Sequence, residues 1–418
     1  MSEYADLLII GAGPAGMAAA LAAAASGARI VILDDNPLPG GQIWRDGPQA
    51  QLPNQARRLR ERLENCSNIQ RHASTRVIAC AGPKQLLVEN DERGWVIGYD
   101  KLILCTGARE LLLPFPGWTL PSVTGVGGLQ ALIKGGLPVR DERLVIAGSG
   151  PLLLASAATA RHNGARVLRI AEQASRRAIA GFAVQLPRWP DKLLQSFSLF
   201  DHHYRTGSHV LAALGSNRLE GVRLQQQGKI VELECDRLAC GFGLIPNTQL
   251  GQALGYALDG QALAVDAWQT SQHVDHYAAG ECTGFGGSEL ALVEGAIAGH
   301  AAVGERPQAQ ALWPLRARWQ GFAKVLNHSF RLNPPLKSLA KPDTLVCRCE
   351  DVPYGALASH SDWRDAKLAS RCGMGACQGR VCGAAVQHLF GWQPSAPRPP
   401  FSPARIETLL CLDDSPQA

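Results

Sequence analysis

Charge is scarce in this chain. Of its 418 residues only 18% are Asp, Glu, Lys or Arg, and 41 basic against 36 acidic side chains leave +5. So small and scattered an excess excludes a nucleic-acid surface built on clustered basic residues. No Gly-x-Ser-x-Gly elbow occurs and no histidines stand at His-Glu-x-x-His spacing, which removes two common hydrolase signatures. A Cys-x-x-Cys pair is missing as well. Gly (44) and Pro (26) are numerous but follow no collagen period and form no low-complexity tract. The uncharged, strongly apolar run at residues 7–28 is broken by Gly11, Gly13, Pro14 and Gly16 and preceded by Glu3 and Asp6. It reads as strand, turn and helix, neither a membrane span nor a secretory signal with its basic start.

What is present is apolar material, 46% of residues, in a chain long enough for two or three domains. Leu7-Leu8-Ile9-Ile10 has the character of a parallel strand buried on both faces. Gly11-Ala12-Gly13-Pro14-Ala15-Gly16 follows, then an Ala-rich helix, a second strand over residues 29–33, and Asp34. Gly11 permits the tight turn, Gly13 lets the backbone approach a pyrophosphate, and Gly16 lets helix and strand pack closely. The helix N-terminus offers N–H groups and partial positive charge to phosphates, and Asp34 or its neighbour Asp35 is placed to accept from a ribose hydroxyl. These parts in register predict a dinucleotide site.

Further motifs resemble the thioredoxin-reductase-like flavoproteins. Gly40-Gly41-Gln42 resembles the loop along the flavin, and Cys105-Thr106-Gly107-Ala108 the strand-to-crossover motif. Pro246-Asn247-Thr248 resembles the return crossover, and Ala279-Gly280-Glu281 the last FAD motif, with Glu where that family usually has Asp. The resemblance implies FAD held by Gly11, Gly13, Pro14, Ala15, Gly16, Asp34, Asp35, Gly41, Gln42, Thr106, Gly107, Gly280 and Glu281. Relatives that reduce disulfides carry Cys-x-x-Cys, so its absence argues against that chemistry.

A second unit follows the same plan: an apolar run at 144–147, Gly148-Ser149-Gly150-Pro151-Leu152-Leu153, a helix to His162, a strand over 166–170, and Glu172. Relatives bind NAD(P)H here. Leu153 replaces the third Gly, so the helix is expected to stand off or tilt. Gly148, Gly150 and Glu172 are the candidate contacts, the acid suiting an unphosphorylated adenosine ribose.

Five of the 12 cysteines crowd into residues 347–382, as Cys347-Arg348-Cys349, then Cys372, then Cys377 and Cys382. Clustered thiolates in Gly-rich loops of a chain expected to be cytoplasmic suit zinc or an iron–sulfur cluster. The one- and four-residue gaps are less usual for zinc, and a one-electron carrier has a role beside a flavin. Spacing alone does not exclude Cys372.

"CRCEDV" and "GMGACQGRVCG" resemble the bacterioferritin-associated-ferredoxin-like [2Fe–2S] domain fused to α subunits of bacterial amino-acid dehydrogenases of the D-hydroxyproline, L-proline, opine and hydrogen-cyanide-synthase type. That resemblance implies Cys347, Cys349, Cys377 and Cys382 as ligands and Cys372 as an extra. It also implies an oxidoreductase acting on CH–NH or CH–NH2 donors, best matched to D-hydroxyproline. Its β subunit is a D-amino-acid-oxidase-like flavoprotein that oxidises the substrate, and a small ferredoxin-like γ subunit completes the assembly. A second nucleotide (NAD or ATP-like), an interface FMN, and an electron acceptor at the inner membrane belong to the same implication. No catalytic constellation is found in this chain, which fits a separate substrate-oxidising subunit. The alternatives are a self-sufficient NAD(P)H-dependent FAD/[2Fe–2S] oxidoreductase and a non-catalytic assembly subunit.

The expected fold class is therefore α/β, two nested Rossmann-like domains with a small C-terminal helical [2Fe–2S] domain. The FAD domain covers 1–115 and 250–303, and the inserted nucleotide domain 116–249. A linker follows at 304–343, holding Trp313, Trp319 and Phe322 near helical spacing, either packed on the core or facing a partner. The cluster domain is set at 344–395 and a Pro-rich tail without regular structure at 396–418.

Overall fold

In a computed structural model, which describes residues 3–393 and 396–412, the chain is built around two sheets, the first mixed and the second parallel. Pro394, Ser395 and residues 413–418, the ends of the expected cluster domain and tail, lie outside the described residues. The first sheet has seven strands, ordered Ile69–His72, Ile30–Leu33, Glu3–Ile10, Gly94–Leu104, Gln85–Glu89 and Arg76–Gly82, with His276–Ala278 alongside Gly94–Leu104. Strands Glu3–Ile10, Ile30–Leu33 and Ile69–His72 pair in parallel, and Leu7 to Ile10 are buried on both faces, as the unbroken apolar run requires.

Gly11 ends the first strand at φ +105, where a side chain would strain the backbone, and a Cβ there would lie 2.3 Å from the Cys105 carbonyl oxygen. Helix Pro14–Ala23 follows, crossed by the long helix Gly287–Ala302. The two backbones touch so closely that a Cβ on Gly295 would sit 2.1 Å from the Ala15 carbonyl oxygen. The last FAD motif is thereby pressed against the first.

Between these halves lies the second sheet, five parallel strands ordered Tyr204–Arg205, Arg166–Glu172, Arg143–Gly148, Arg237–Gly241 and Val123–Gly125. A three-stranded antiparallel sheet, Ser208–Leu214, Gly221–Gln226 and Lys229–Glu234, covers it. The chain enters and leaves this region through two short strands, Ala108–Glu110 and Leu244–Pro246, paired antiparallel.

The stretch expected as a linker is largely helical, Arg306–Ala311 and Trp313–Ser329. Trp319 and Phe322 are buried with Trp189, Leu290 and Val293, so this apolar face packs on the chain's own core. Beyond it, the hairpin Leu345–Cys347/Val352–Pro353 and helices Trp363–Ser370 and Cys382–Phe390 enclose a small core of their own.

The tail departs from its expectation. Phe401 N–H donates to the Ile78 carbonyl at 2.7 Å and Arg405 N–H to Glu89 Oε2 at 2.9 Å, and residues Ile406–Leu410 form a helical turn with Thr408 fully buried. Prolines limit regular structure locally, but the edge of the first sheet supplies the hydrogen bonds and apolar cover that order this segment. No helix among the described residues is long and apolar enough to cross a membrane.

Candidate dinucleotide and metal sites

A cavity of about 480 Å³ opens at the C-terminal ends of the first sheet's strands. Gly11, Gly13, Pro14 and Ala15 form one wall, Asp34 and Asp35 another, with Gly41, Gln42, Thr106, Gly107 and Glu281 completing it. This is where open α/β sheets take nucleotides. Gly16 and Gly280 are buried behind the lining and set its shape. Asp34 is held by the turn it faces: Oδ2 accepts from Ala12 N–H and Oδ1 from Asn36 N–H at 2.7 Å. The two crossovers lock together, Thr106 Oγ1 donating to the Asn247 carbonyl at 2.6 Å and Asn247 Nδ2 to the Thr106 carbonyl at 2.9 Å.

Glu281 stands in the turn Gly280–Thr283, and burial pushes its carboxyl above the usual range. Beneath the turn, Glu294 Oε2 accepts from Gly280 N–H at 3.2 Å and Thr283 Oγ1 at 3.3 Å. Burial raises Glu294 to about 7 despite these donors. Glu110 braces the entry to the inserted domain, accepting from Gly127 and Gly128 N–H at 2.7 and 2.9 Å at the start of helix Val126–Lys134.

In the second motif both the residue at the third-Gly position and the acid face inward. Leu153, in place of the third Gly, turns into the core with Val126, Leu129 and Ile146. Glu172 is fully buried, one oxygen accepting from Gly150 N–H at 2.8 Å and Tyr204 Oη at 3.3 Å, the other from Ala174 N–H at 2.8 Å. Glu172 thus braces its own turn from within, as Asp34 does in the first motif. The linker adds to the closure: Ser149 Oγ donates to the Phe330 carbonyl at 2.9 Å, and Gln173 Nε2 to the Arg331 carbonyl at 3.1 Å. Gly148 ends its strand directly against Gly241.

The five C-terminal cysteines are brought together. The sulfurs of Cys347, Cys372 and Cys382 lie within 4.8 Å of one another, all three residues buried. Cys349 is exposed and Cys377 half-buried, with their thiols hydrogen-bonded to each other. Burial alone would raise the Cys377 thiol, but N–H groups of Val381, Gly379 and Arg380 and the Cys349 thiol hold it below its ordinary value. A histidine-free set of thiols faced by backbone N–H groups fits a thiolate-bound metal centre. A second group, Asp201, His202 and His203, is no such site, because the Arg161 guanidinium pairs with the Asp201 carboxylate.

Sequence reasoning missed much of the remaining lining, including Thr75 and Arg76 beside Asp34, and Arg109, Arg380, Phe401 and Ser402 on the opposite side. Arg380 lies in the loop between Cys377 and Cys382; its carbonyl accepts from Arg109 Nε at 3.0 Å and its Nη2 donates to the Phe401 carbonyl at 2.6 Å. The cysteine loop and the tail therefore close one side of the dinucleotide cavity.

Residues 5–301 match the family described as pyridine nucleotide-disulphide oxidoreductase. Hydrogen cyanide synthase subunit HcnB of Pseudomonas protegens is 31% identical over 90% of this chain and 89% of that protein. An opine oxidase subunit from Rhizobium meliloti is 31% identical over 100% of this chain and 89% of that one. Among solved structures, L-proline dehydrogenase from P. horikoshii superposes with a TM-score of 0.69 at 17% identity, covering 98% of this chain and 80% of that one. Thioredoxin reductase from T. acidophilum superposes at 0.57 and 19% identity, covering 73% of this chain and 99% of that one.

Proposed function

Because the chain belongs to the pyridine nucleotide-disulphide oxidoreductase family, we propose that it is the electron-transferring α subunit of a hetero-oligomeric amino- or imino-acid dehydrogenase. The relatives named as subunits of hydrogen cyanide synthase and opine oxidase support a multi-subunit oxidoreductase. The observation that carries the reading is Arg380, set between two cysteines of the proposed metal centre and lining the cavity of the Gly11–Gly16 turn.

When bound, FAD supplies two- and one-electron exchange and a [2Fe–2S] cluster one-electron carriage. The protein's own contribution is placement. The Gly11–Gly16 turn and helix N-terminus would hold the pyrophosphate, Asp34 and Asp35 the adenosine ribose, and Thr106, Gly107, Gly280 and Glu281 the flavin side. Cys347, Cys349, Cys377 and Cys382 are the proposed ligands. Substrate oxidation is assigned to a D-amino-acid-oxidase-like β subunit, with a ferredoxin-like γ subunit plus an interface FMN as further components, and D-hydroxyproline is the preferred substrate. The buried state of Glu172 weighs against hydride entry from NAD(P)H at the second motif.

The test is anaerobic reduction of the chain purified alone and with its partner subunits. D-hydroxyproline should bleach the flavin only in the presence of the partners. Substrate bleaching by the isolated chain would contradict the assignment, and bleaching by NADH alone would replace it with the self-sufficient reductase.

A further inference from the structure

Four thiolates complete a [2Fe–2S] or zinc centre, yet five cysteines converge here. The three that are buried together are Cys347, Cys372 and Cys382, and Cys372 is the one the flanking motifs leave out. Two thiolates on one tetrahedral metal with bonds of about 2.3 Å sit about 3.8 Å apart, so sulfurs within 4.8 Å need only small adjustments to share an ion.

The position of Cys372 is also built. It follows helix Trp363–Ser370 after Arg371, which turns the chain at φ +64, and its N–H donates to Ser370 Oγ at 3.2 Å. Arg371 Nε donates to Glu350 Oε2 at 2.7 Å. Arg371 directly precedes Cys372 and Glu350 directly follows Cys349, so this ion pair ties the two cysteine segments together. The same segments touch at Gly375, where a Cβ would lie 2.3 Å from Cys349 Cβ. Cys349, by contrast, is exposed.

We propose that Cys372 is a ligating position of this centre, able to replace the surface thiolate of Cys349 while Cys347 and Cys382 stay fixed. This rests on the metal-centre reading above. In the exchange the metal–sulfur bond to Cys349 breaks and that sulfur takes a proton, as Cys372 gives one up and forms the new bond. Charge and oxidation state do not change.

The experiment reconstitutes the full chain anaerobically with ferrous iron and sulfide, then measures iron, acid-labile sulfide and the electron paramagnetic resonance of the dithionite-reduced protein. Flavin content and far-ultraviolet circular dichroism report that each variant is folded. Cys349→Ser should keep more than half of the wild-type iron with a shifted resonance, Cys372→Ser should keep all of it, and the double variant should fall below one-tenth. Loss of iron in Cys349→Ser as complete as in the double variant overturns the proposal, as does loss in Cys372→Ser alone. A wild-type chain that takes up no iron and sulfide would overturn the metal-centre reading itself, an outcome visible before any variant is made.

Discussion

At the scale of single residues, two side-chain changes separate the cavity's architecture from its occupancy. Gly13 has an ordinary φ of −71°, and a Cβ there would meet the Gly41 Cα at 3.8 Å, a normal contact. Gly13→Val should therefore fold, while its methyl groups enter the cavity and exclude the dinucleotide. FAD at wild-type occupancy in that variant would refute the site. Glu294 makes a prediction about pH. Its carboxyl titrates near 7 in the folded chain against an ordinary 4.5, so between those values the folded state keeps a proton that the unfolded state releases. Stability then falls as pH rises from about 4.5 through about 7, and flattens above. Glu294→Gln should remove that slope and raise stability above pH 7 by roughly 3 kcal/mol, at 1.36 kcal/mol for each pKa unit. Parallel melting curves for both proteins at fixed FAD saturation would contradict this.

Elements show which parts of the site are legible in the sequence and which are not. The Gly11–Gly16 turn is legible because every requirement it meets is local: a buried strand, a positive φ at Gly11, and a helix that must start beside its own strand. Glu172 follows the same local pattern, but its surroundings are only partly local. Besides the nearby Gly150 and Ala174 N–H groups, its carboxylate meets Tyr204 on the adjacent strand, a contact that strand pairing sets and local sequence does not. Arg380 and Phe401 carry no signal, since only docking of the cysteine loop and the tail onto the first sheet brings them to the cavity. The order of the tail is hidden for the same reason: its partners Ile78 and Glu89 belong to a sheet edge formed far earlier in the chain. Deleting residues 396–418 should uncover the cluster of Ile78, Ala79 and Leu87 and remove Phe401 and Ser402 from the wall. The truncated chain should melt lower and bind FAD roughly tenfold more weakly, the equivalent of about 1.4 kcal/mol. Unchanged FAD titration by flavin fluorescence would show that the tail is not part of the site.

Over the whole molecule, two nested nucleotide folds and a cysteine-rich domain meet at one place. The crossovers at Thr106 and Asn247 are hinged together by paired hydrogen bonds, Glu110 anchors the inserted domain to one of them, and Arg109 reaches from that crossover to the cysteine loop. The second nucleotide motif faces the linker through Ser149 and Gln173. This arrangement gives the first cavity a direct neighbour in the cysteine cluster and ties the second motif to the linker. The central claim of the proposed function is that this chain carries electrons from a separate substrate-oxidising protein.

The most direct test of that claim is the visible spectrum of the anaerobically purified chain, recorded as isolated, after excess NADH, and after dithionite. A flavin band over a broad sulfur-to-iron background, bleached by dithionite and untouched by NADH, is the predicted result. Bleaching by NADH would contradict it, and a folded but colourless chain that takes up neither FAD nor iron would contradict it more completely.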